Sequence, residues 1–172
     1  DNGKVSFADA HVAADATVND AGELMLTGSA SVGDVVVHDG GALRVLNTAA
    51  GASSVSTDGL EIKSGAVLQL TGAAGGNGAP GALCRIDVTG AVVLEGNLIV
   101  LLPLELNDPV GTVYTLIAND GNDAITGEFV DAPQGATFTA GIFTFQIAYN
   151  GGDGNDVTYT LIGVARDYIL SE

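Results

Sequence analysis

The chain has no tryptophan, one methionine, one cysteine and two lysines in 172 residues, and each shortage excludes something. With Cys84 alone no internal disulfide can form, and a single cysteine set between Leu83 and Ile86 reads as a small buried apolar side chain rather than a nucleophile. Three arginines and two lysines cannot neutralise a run of phosphates, so nucleic acid is excluded as a partner. No apolar run reaches the roughly 20 residues of a membrane helix, and the longest is broken by Gly96 and Pro103. There is no G-x-S-x-G elbow and no histidine cluster for zinc, since His11 and His38 stand apart. The absence of a starting methionine, a charged n-region and an apolar h-region fits a mature secreted chain or an excised fragment.

What is present points to an all-β protein. Twenty-five glycines, with abundant Val, Thr, Ala and Asp, suit many short strands joined by tight turns. The length allows one domain or two closely packed ones, hiding roughly 70% of the unfolded surface without staples. The net charge of -16 is spread along the chain, because the 21 acidic residues recur in turn-like contexts. Such a surface keeps a protein soluble, and it also suits divalent cations or a salty medium.

A unit recurs through the first hundred residues: an apolar residue, then six positions later Leu, then two later Leu or Val. It reads Val18, Leu24, Leu26; Val37, Leu43, Val45; Ile62, Leu68, Leu70; Val92, Leu98, Val100. Val35 and Leu60 stand two positions before the second and third copies, where the first and fourth have Ala16 and Gly90. Glycine occupies every corner (Gly22, Gly40 with Gly41, Gly65, Gly96), where positive φ costs little. The leucine anchors are 19, 25 and 30 residues apart. Periods near twenty with variable loops predict a parallel β-solenoid over 1–106, with insertions at 47–58 and 71–81 held outside; a meandering antiparallel sandwich is the alternative. The stretch 87–106 is the most apolar part of the chain and is expected to be buried on both faces. Gly76, Gly78 and Gly81 satisfy G-x-G-x-x-G, but Pro80 interrupts the motif and strand-like sequence comes after it, which excludes a dinucleotide site.

From Gly111 the texture changes. TVYTLI, ATFT, IFTFQIAY and VTYTLI alternate like half-buried antiparallel strands, and they predict a C-terminal antiparallel β capping region over 107–162. Phe143, Phe145 and Ile147 share one face. NDGND (119–123), DAPQG (131–135) and NGGDGND (150–156) are turn sequences. In order, the matches Tyr114–Ile117, Gly127–Phe129, Ala132–Phe138 and Tyr149–Val157 make this segment resemble the closing part of bacterial autotransporter-associated β-strand repeat proteins, and the glycine-cornered repeats before it are similar to the passenger β-helix of those proteins. The resemblance implies an exported, repetitive structural region at the cell surface or outside the cell, and it carries over no catalytic residue. Many such proteins continue into an outer-membrane barrel or sorting tail, whereas this sequence ends at GVARDYILSE.

Three functional readings are open. The leading one is a self-assembling extracellular scaffold, fibre or surface-layer subunit or adhesin stalk, associating through strand edges. Its assembly strand is either the tail 163–172, with Val164, Tyr168, Ile169 and Leu170, or the strand from Lys4 to Phe7. A carbohydrate-binding or carbohydrate-cleaving β-helix is the second, favoured by a groove lined with Tyr114, Tyr149 and carboxylates; Asp34, Asp39, Asp58, Glu61 and Asp87 are the acids at hand. A calcium-dependent adhesion module with a glycan or surface partner is the third. GGDGNDVTY nearly fits G-G-x-G-x-D-x-U-x, and Asp153 with Asp156, joined by Asp120 and Asp123 of the earlier turn, would supply hard oxygen ligands. Only one copy of the nonapeptide exists, and ordinary Asp-Gly turns explain the same residues.

Overall fold

The computed structural model describes residues 3–48, 51–73, 82–102, 108–120 and 123–165. Among these residues the fold is all-β, with no helix. Pairing is mostly parallel, and antiparallel strands gather toward the C-terminal end.

The chain revisits three sheets in a constant order. The first holds β1 (Lys4–Ala8), β4 (Glu23–Thr27), β7 (Ala42–Leu46), β10 (Val67–Ala73) and β14 (Asn97–Leu101) in parallel, with β11 (Ala82–Leu83) antiparallel on β10. The second holds β2 (His11–Val12), β5 (Ser31–Val32), β8 (Ser54–Thr57), β12 (Arg85–Val88) and β15 (Val113–Asn119) in parallel. It then continues antiparallel through β19 (Asp156–Val164), β18 (Phe143–Gly151) and β17 (Thr137–Ala140). The third holds β3 (Ala16–Val18), β6 (Val35–Val37), β9 (Leu60–Ile62), β13 (Val92–Leu94) and β16 (Thr126–Gly127) in parallel. Each pass of the chain thus contributes one strand to each sheet, and the antiparallel meander expected as an alternative for the first half is not what forms.

The repeat seen in the sequence is the register of these sheets. Leu24, Leu43, Leu68 and Leu98 stand in line across four passes, as do Leu26, Val45, Leu70 and Val100. Alternation along each strand turns these side chains to the interior, and Leu43, Leu68 and Leu70 are 1% exposed or less. Each such burial is worth about 1.5–3 kcal/mol.

Five expectations are corrected. In the fourth copy it is Leu94, not Val92, that stacks on Ile62, while Val92 stacks on Leu60 in the place assigned to Gly90. The last corner is two residues shorter than the others, and Gly96 permits this: a Cβ there would lie 2.6 Å from the Ala66 carbonyl oxygen and from Ile62 Cγ2. Positive φ is also not a property of every corner glycine. Gly40 and Gly65 have it, but in the first corner the left-handed residue is Ala21, with φ 57°.

The insertion 47–58 does not lie wholly outside, because β8 is a full member of its sheet with Val55 completely buried. Its polar neighbours also turn inward, and they do so because their hydroxyls find backbone acceptors. Thr57 Oγ1 donates to the Gly33 and Gly59 carbonyls at 2.6 and 2.8 Å, and Ser53 Oγ donates to the Leu46 carbonyl at 2.6 Å. Within the apolar stretch 87–106, β14 is covered on one face only: Ile99 and Leu101 are 41% and 50% exposed while Leu98 is buried. Finally, the parallel region runs past residue 106, since β15 and β16 complete a fifth pass. β15 is a mixed strand, parallel to β12 and antiparallel to β19. The segments 74–81 and 103–107, which contain the G-x-G-x-x-G glycines and Pro103, lie outside the described residues.

Beyond the fifth pass, Phe138, Phe143, Phe145 and Tyr159 build an aromatic cluster, and Phe129 pairs with Tyr149 at a centroid distance of 6.4 Å. Phe145 sits at its centre, with Tyr114, Phe138, Phe143 and Tyr159 at centroid distances between 5.2 and 6.5 Å. Phe143, Phe145 and Ile147 face inward together, as their alternation predicts.

Candidate functional site: acidic corners and the two ends of the strand array

The acidic residues that recur in the turns are largely engaged by backbone. Asp9 Oδ1 accepts the Ser29 N–H at 2.8 Å and its hydroxyl at 3.2 Å, one pass further on. Asp15 Oδ1 accepts the Asp34 N–H at 3.0 Å. Asp131 Oδ1 accepts the Leu98 N–H at 2.9 Å, and Glu128 Oε2 accepts the Gln134 N–H at 2.8 Å. The carboxylates of Asp20 and Asp39 fill the space that a Cβ at Gly40 and Gly65 would take. A corner carboxylate in one pass therefore fits a bare glycine or an amide in the next, through charge-assisted bonds stronger than neutral ones.

The residues expected to bind calcium serve the backbone in part. Asp156 Oδ1 accepts the Asn119 N–H at 3.0 Å, joining the β18–β19 turn to the end of β15. Its carboxyl is raised above the ordinary aspartate range by burial, with the negative charges of Asp153 and Asp87 adding to the effect. The Asp123 carbonyl receives Asn119 Nδ2 at 2.7 Å and Asn155 Nδ2 at 3.2 Å. The Asp120 N–H donates to the Val88 carbonyl, extending the parallel ladder by one bond. Asn119 is 2% exposed, and its Oδ1 is buried with no hydrogen-bond partner among the described residues. Among those residues no three of His, Cys, Asp and Glu converge as metal donors.

Of the expected assembly residues, Val164 is not part of a separate tail. It lies in β19, opposite Phe143, and the next residue, Ala165, donates its N–H to the Ile142 carbonyl at 2.7 Å. The boundary placed at 162–163 therefore falls inside a paired strand. Tyr168, Ile169 and Leu170 lie outside the described residues.

Tyr114 and Tyr149, expected to line a sugar groove, are turned inward. Tyr114 is 7% exposed and its hydroxyl donates to Asp108 Oδ2 at 2.5 Å; burial first, and then that bond, push its ionisation well above the tyrosine range. Tyr149 accepts the Phe129 N–H at 2.9 Å and donates to the Ala132 carbonyl at 2.6 Å, and burial pushes it up to about 12. Of the acids considered for catalysis, Asp87 accepts the Ser54 hydroxyl and pairs with Arg85, and Glu61 pairs with Lys63. Asp34 packs against Gly59. Cys84 is buried, close to the Ser53 N–H.

The strand from Lys4 to Phe7, expected as one of two assembly strands, is β1 of the first sheet. β1, β2 and β3 each end their sheet, with no strand on the far side among the described residues. Val5 and Phe7 occupy the interior positions held by Leu24 and Leu26 one pass later, yet Val5 is 50% exposed and Phe7 only partly buried. They line a cavity of about 560 Å³ together with Val12, Ala16, Val18 and Leu24. The signal is present in the repeat: Val5 and Phe7 precede Leu24 and Leu26 by one period of 19 residues. No family model, curated protein or solved structure matches this chain.

Proposed function

We propose that this chain is an exported structural subunit whose five passes wind as a β-solenoid, and that it builds an extracellular scaffold by joining strand edges. The observation that carries the reading is the strand array itself, in which each pass adds one parallel strand to each of three sheets and several strands, β14 and β16 among them, keep an unpaired edge among the described residues. Bare edges are templates for pairing, which natural proteins either cover or use for assembly. Export is supported by the resemblance of the C-terminal third to autotransporter-associated repeats and by an acidic surface with a single, buried thiol. Light scattering across a range of concentrations tests the reading. Mass that rises above the 17.1 kDa monomer is expected, and a chain that stays monomeric throughout overturns the self-association. Removing 166–172, which leaves β19 intact, reports on the tail as a second edge.

The buried, unpartnered Asn119 Oδ1 beside Asp156 favours calcium as a second reading. A melting temperature higher in calcium than in chelator supports it, as linkage requires, and identical melting in both removes it.

A further inference from the structure

We infer that Asn119 Oδ1 and the Asp156 carboxylate hold a calcium ion that clamps the β18–β19 turn onto the end of β15. The inference rests on the calcium reading, and it names the oxygens that take the ion and the part of the fold that the ion steadies.

Asn119 is the last residue of β15, in register with Val88 of β12, and both are buried. A buried amide must satisfy its nitrogen and its oxygen alike. Nδ2 donates to the Asp123 carbonyl at 2.7 Å, and this bond fixes which way the amide faces, since the opposite orientation would set oxygen against oxygen. Oδ1 is thereby left buried with no hydrogen-bond partner among the described residues. An acceptor in that position is costly to leave unmet, and a cation meets it as a donor would.

The Asp156 carboxylate stands beside this amide. Its Oδ1 accepts the Asn119 N–H at 3.0 Å, and its Oδ2 lies over Gly152, in the space that a Cβ there would fill. Gly152 has φ 58°, so the turn and the room for the carboxylate both depend on it. A carboxylate has about four acceptor sites, and one amide bond leaves most of them open. Asp153 and Asp87 add negative charge around Asp156, while of the described residues only Arg85 opposes them. Arg85 is itself paired with Asp87. Uncancelled negative charge beside an unmet oxygen is what a bound cation offsets.

Every donor here is oxygen, which selects a hard cation over zinc or copper. An amide oxygen and a carboxylate carried by different strands make an irregular set. That suits the flexible shell of calcium, about six to eight oxygens completed by water or carbonyls, better than the strict octahedron of magnesium. The corners of the parallel passes lack this combination. Asp9 and Asp15 are met by amides of the next pass, and among the described residues no buried, unpartnered oxygen accompanies them. Asn119 ends the fifth pass and Asp156 opens β19, so an ion between them ties the parallel array to the antiparallel strands that cover it.

Calcium added to the chelated chain is the probe, read by calorimetric titration and by melting temperature. The wild-type chain is expected to bind calcium and to melt higher in it, with magnesium binding at least about tenfold more weakly. Asp156→Asn keeps an acceptor for the Asn119 N–H and is expected to weaken calcium binding at least about tenfold, because the charge of the ligands sets affinity. Asp34→Asn, in a corner of the parallel passes, is expected to leave binding unchanged. Hydrogen exchange of the wild-type chain locates the ion without any substitution: calcium should slow the amides at the end of β15 and in the β18–β19 turn, and leave those of β4 to β6 as they were. A wild-type chain that binds calcium while Asp156→Asn binds it equally well, or whose added protection falls in β4 to β6, overturns this site and leaves the calcium reading standing. A wild-type chain that neither binds calcium nor melts higher in it overturns both.

Discussion

The two ends of the strand array are made from the same kind of residue and end differently. At the C-terminal end most interior positions of the last passes are shut in: Leu98 is 8% exposed, Leu116 and Ile117 are fully buried, and Val100 is partly buried. At the N-terminal end Val5 is half exposed and Phe7, Val12 and Ala16 are only partly covered. The difference lies in the cover each end receives. After the fifth pass come β17, β18 and β19, which carry three of the five phenylalanines and turn them over the core. Among the described residues nothing comparable covers the first pass. A parallel array of this kind creates two apolar ends by construction, and among the described residues every aromatic but Phe7 is placed at one of them.

Substitutions sharpen the contrast in descending order of effect. Phe145→Ala, at the centre of the cap, is expected to cost about 3–5 kcal/mol of stability. Phe7→Ala at the open end should cost no more than about 1–2 kcal/mol in dilute solution, since that ring is already partly in water. Denaturant unfolding of both variants checks the pair, and equal losses would erase the distinction. Tyr114→Phe removes the hydroxyl that donates to Asp108 and should cost about 1.5–3 kcal/mol, the worth of a hydrogen bond to a charged group.

The corners give a smaller test. Ala21→Gly should gain roughly 1 kcal/mol by relieving a left-handed alanine. Gly40→Ala, at the equivalent place one pass later, should lose at least about 1 kcal/mol, because it adds that strain and also meets the Asp20 carboxylate. The smallest effect is at Asp156, whose carboxyl is raised in the folded chain mainly by burial. Folding therefore gains from its protonation at acid pH, and that contribution is lost as pH rises through the folded-state value. Asp156→Asn keeps an acceptor for the Asn119 N–H, so its stability relative to wild type should improve from acid to neutral pH in parallel melts.

Much of the fold is legible in the residues because one physical signal, alternation at a period near twenty, is repeated. The lines Leu24–Leu43–Leu68–Leu98 and Leu26–Val45–Leu70–Val100 can be read directly from them. Misreadings arise where that signal is weak. Val55 is the lone aliphatic in the run Ser53–Thr57, so β8 looks like a loop until its hydroxyls are seen bonded to backbone carbonyls. The fourth copy keeps the offset of six between Val92 and Leu98, which conceals the shorter corner made possible by Gly96. The acidic turns look solvent-facing or ion-binding, because nothing local reveals that Asp9 or Asp15 will meet an amide one pass later. Val164 looks like the start of a tail because its partner, Phe143, is 21 residues away. The strand from Lys4 to Phe7 is legible as an edge, but the exposure of Val5 and Phe7 is not, since both fit the pattern and only their lack of a neighbour among the described residues sets them apart.

Hydrogen exchange read out by mass spectrometry tests the central contrast most directly. In dilute solution the amides of β1, β2 and β3 should exchange orders of magnitude faster than those of β15, β18 and β19. Protection of β1 equal to that of β18 in the dilute monomer would contradict an open end.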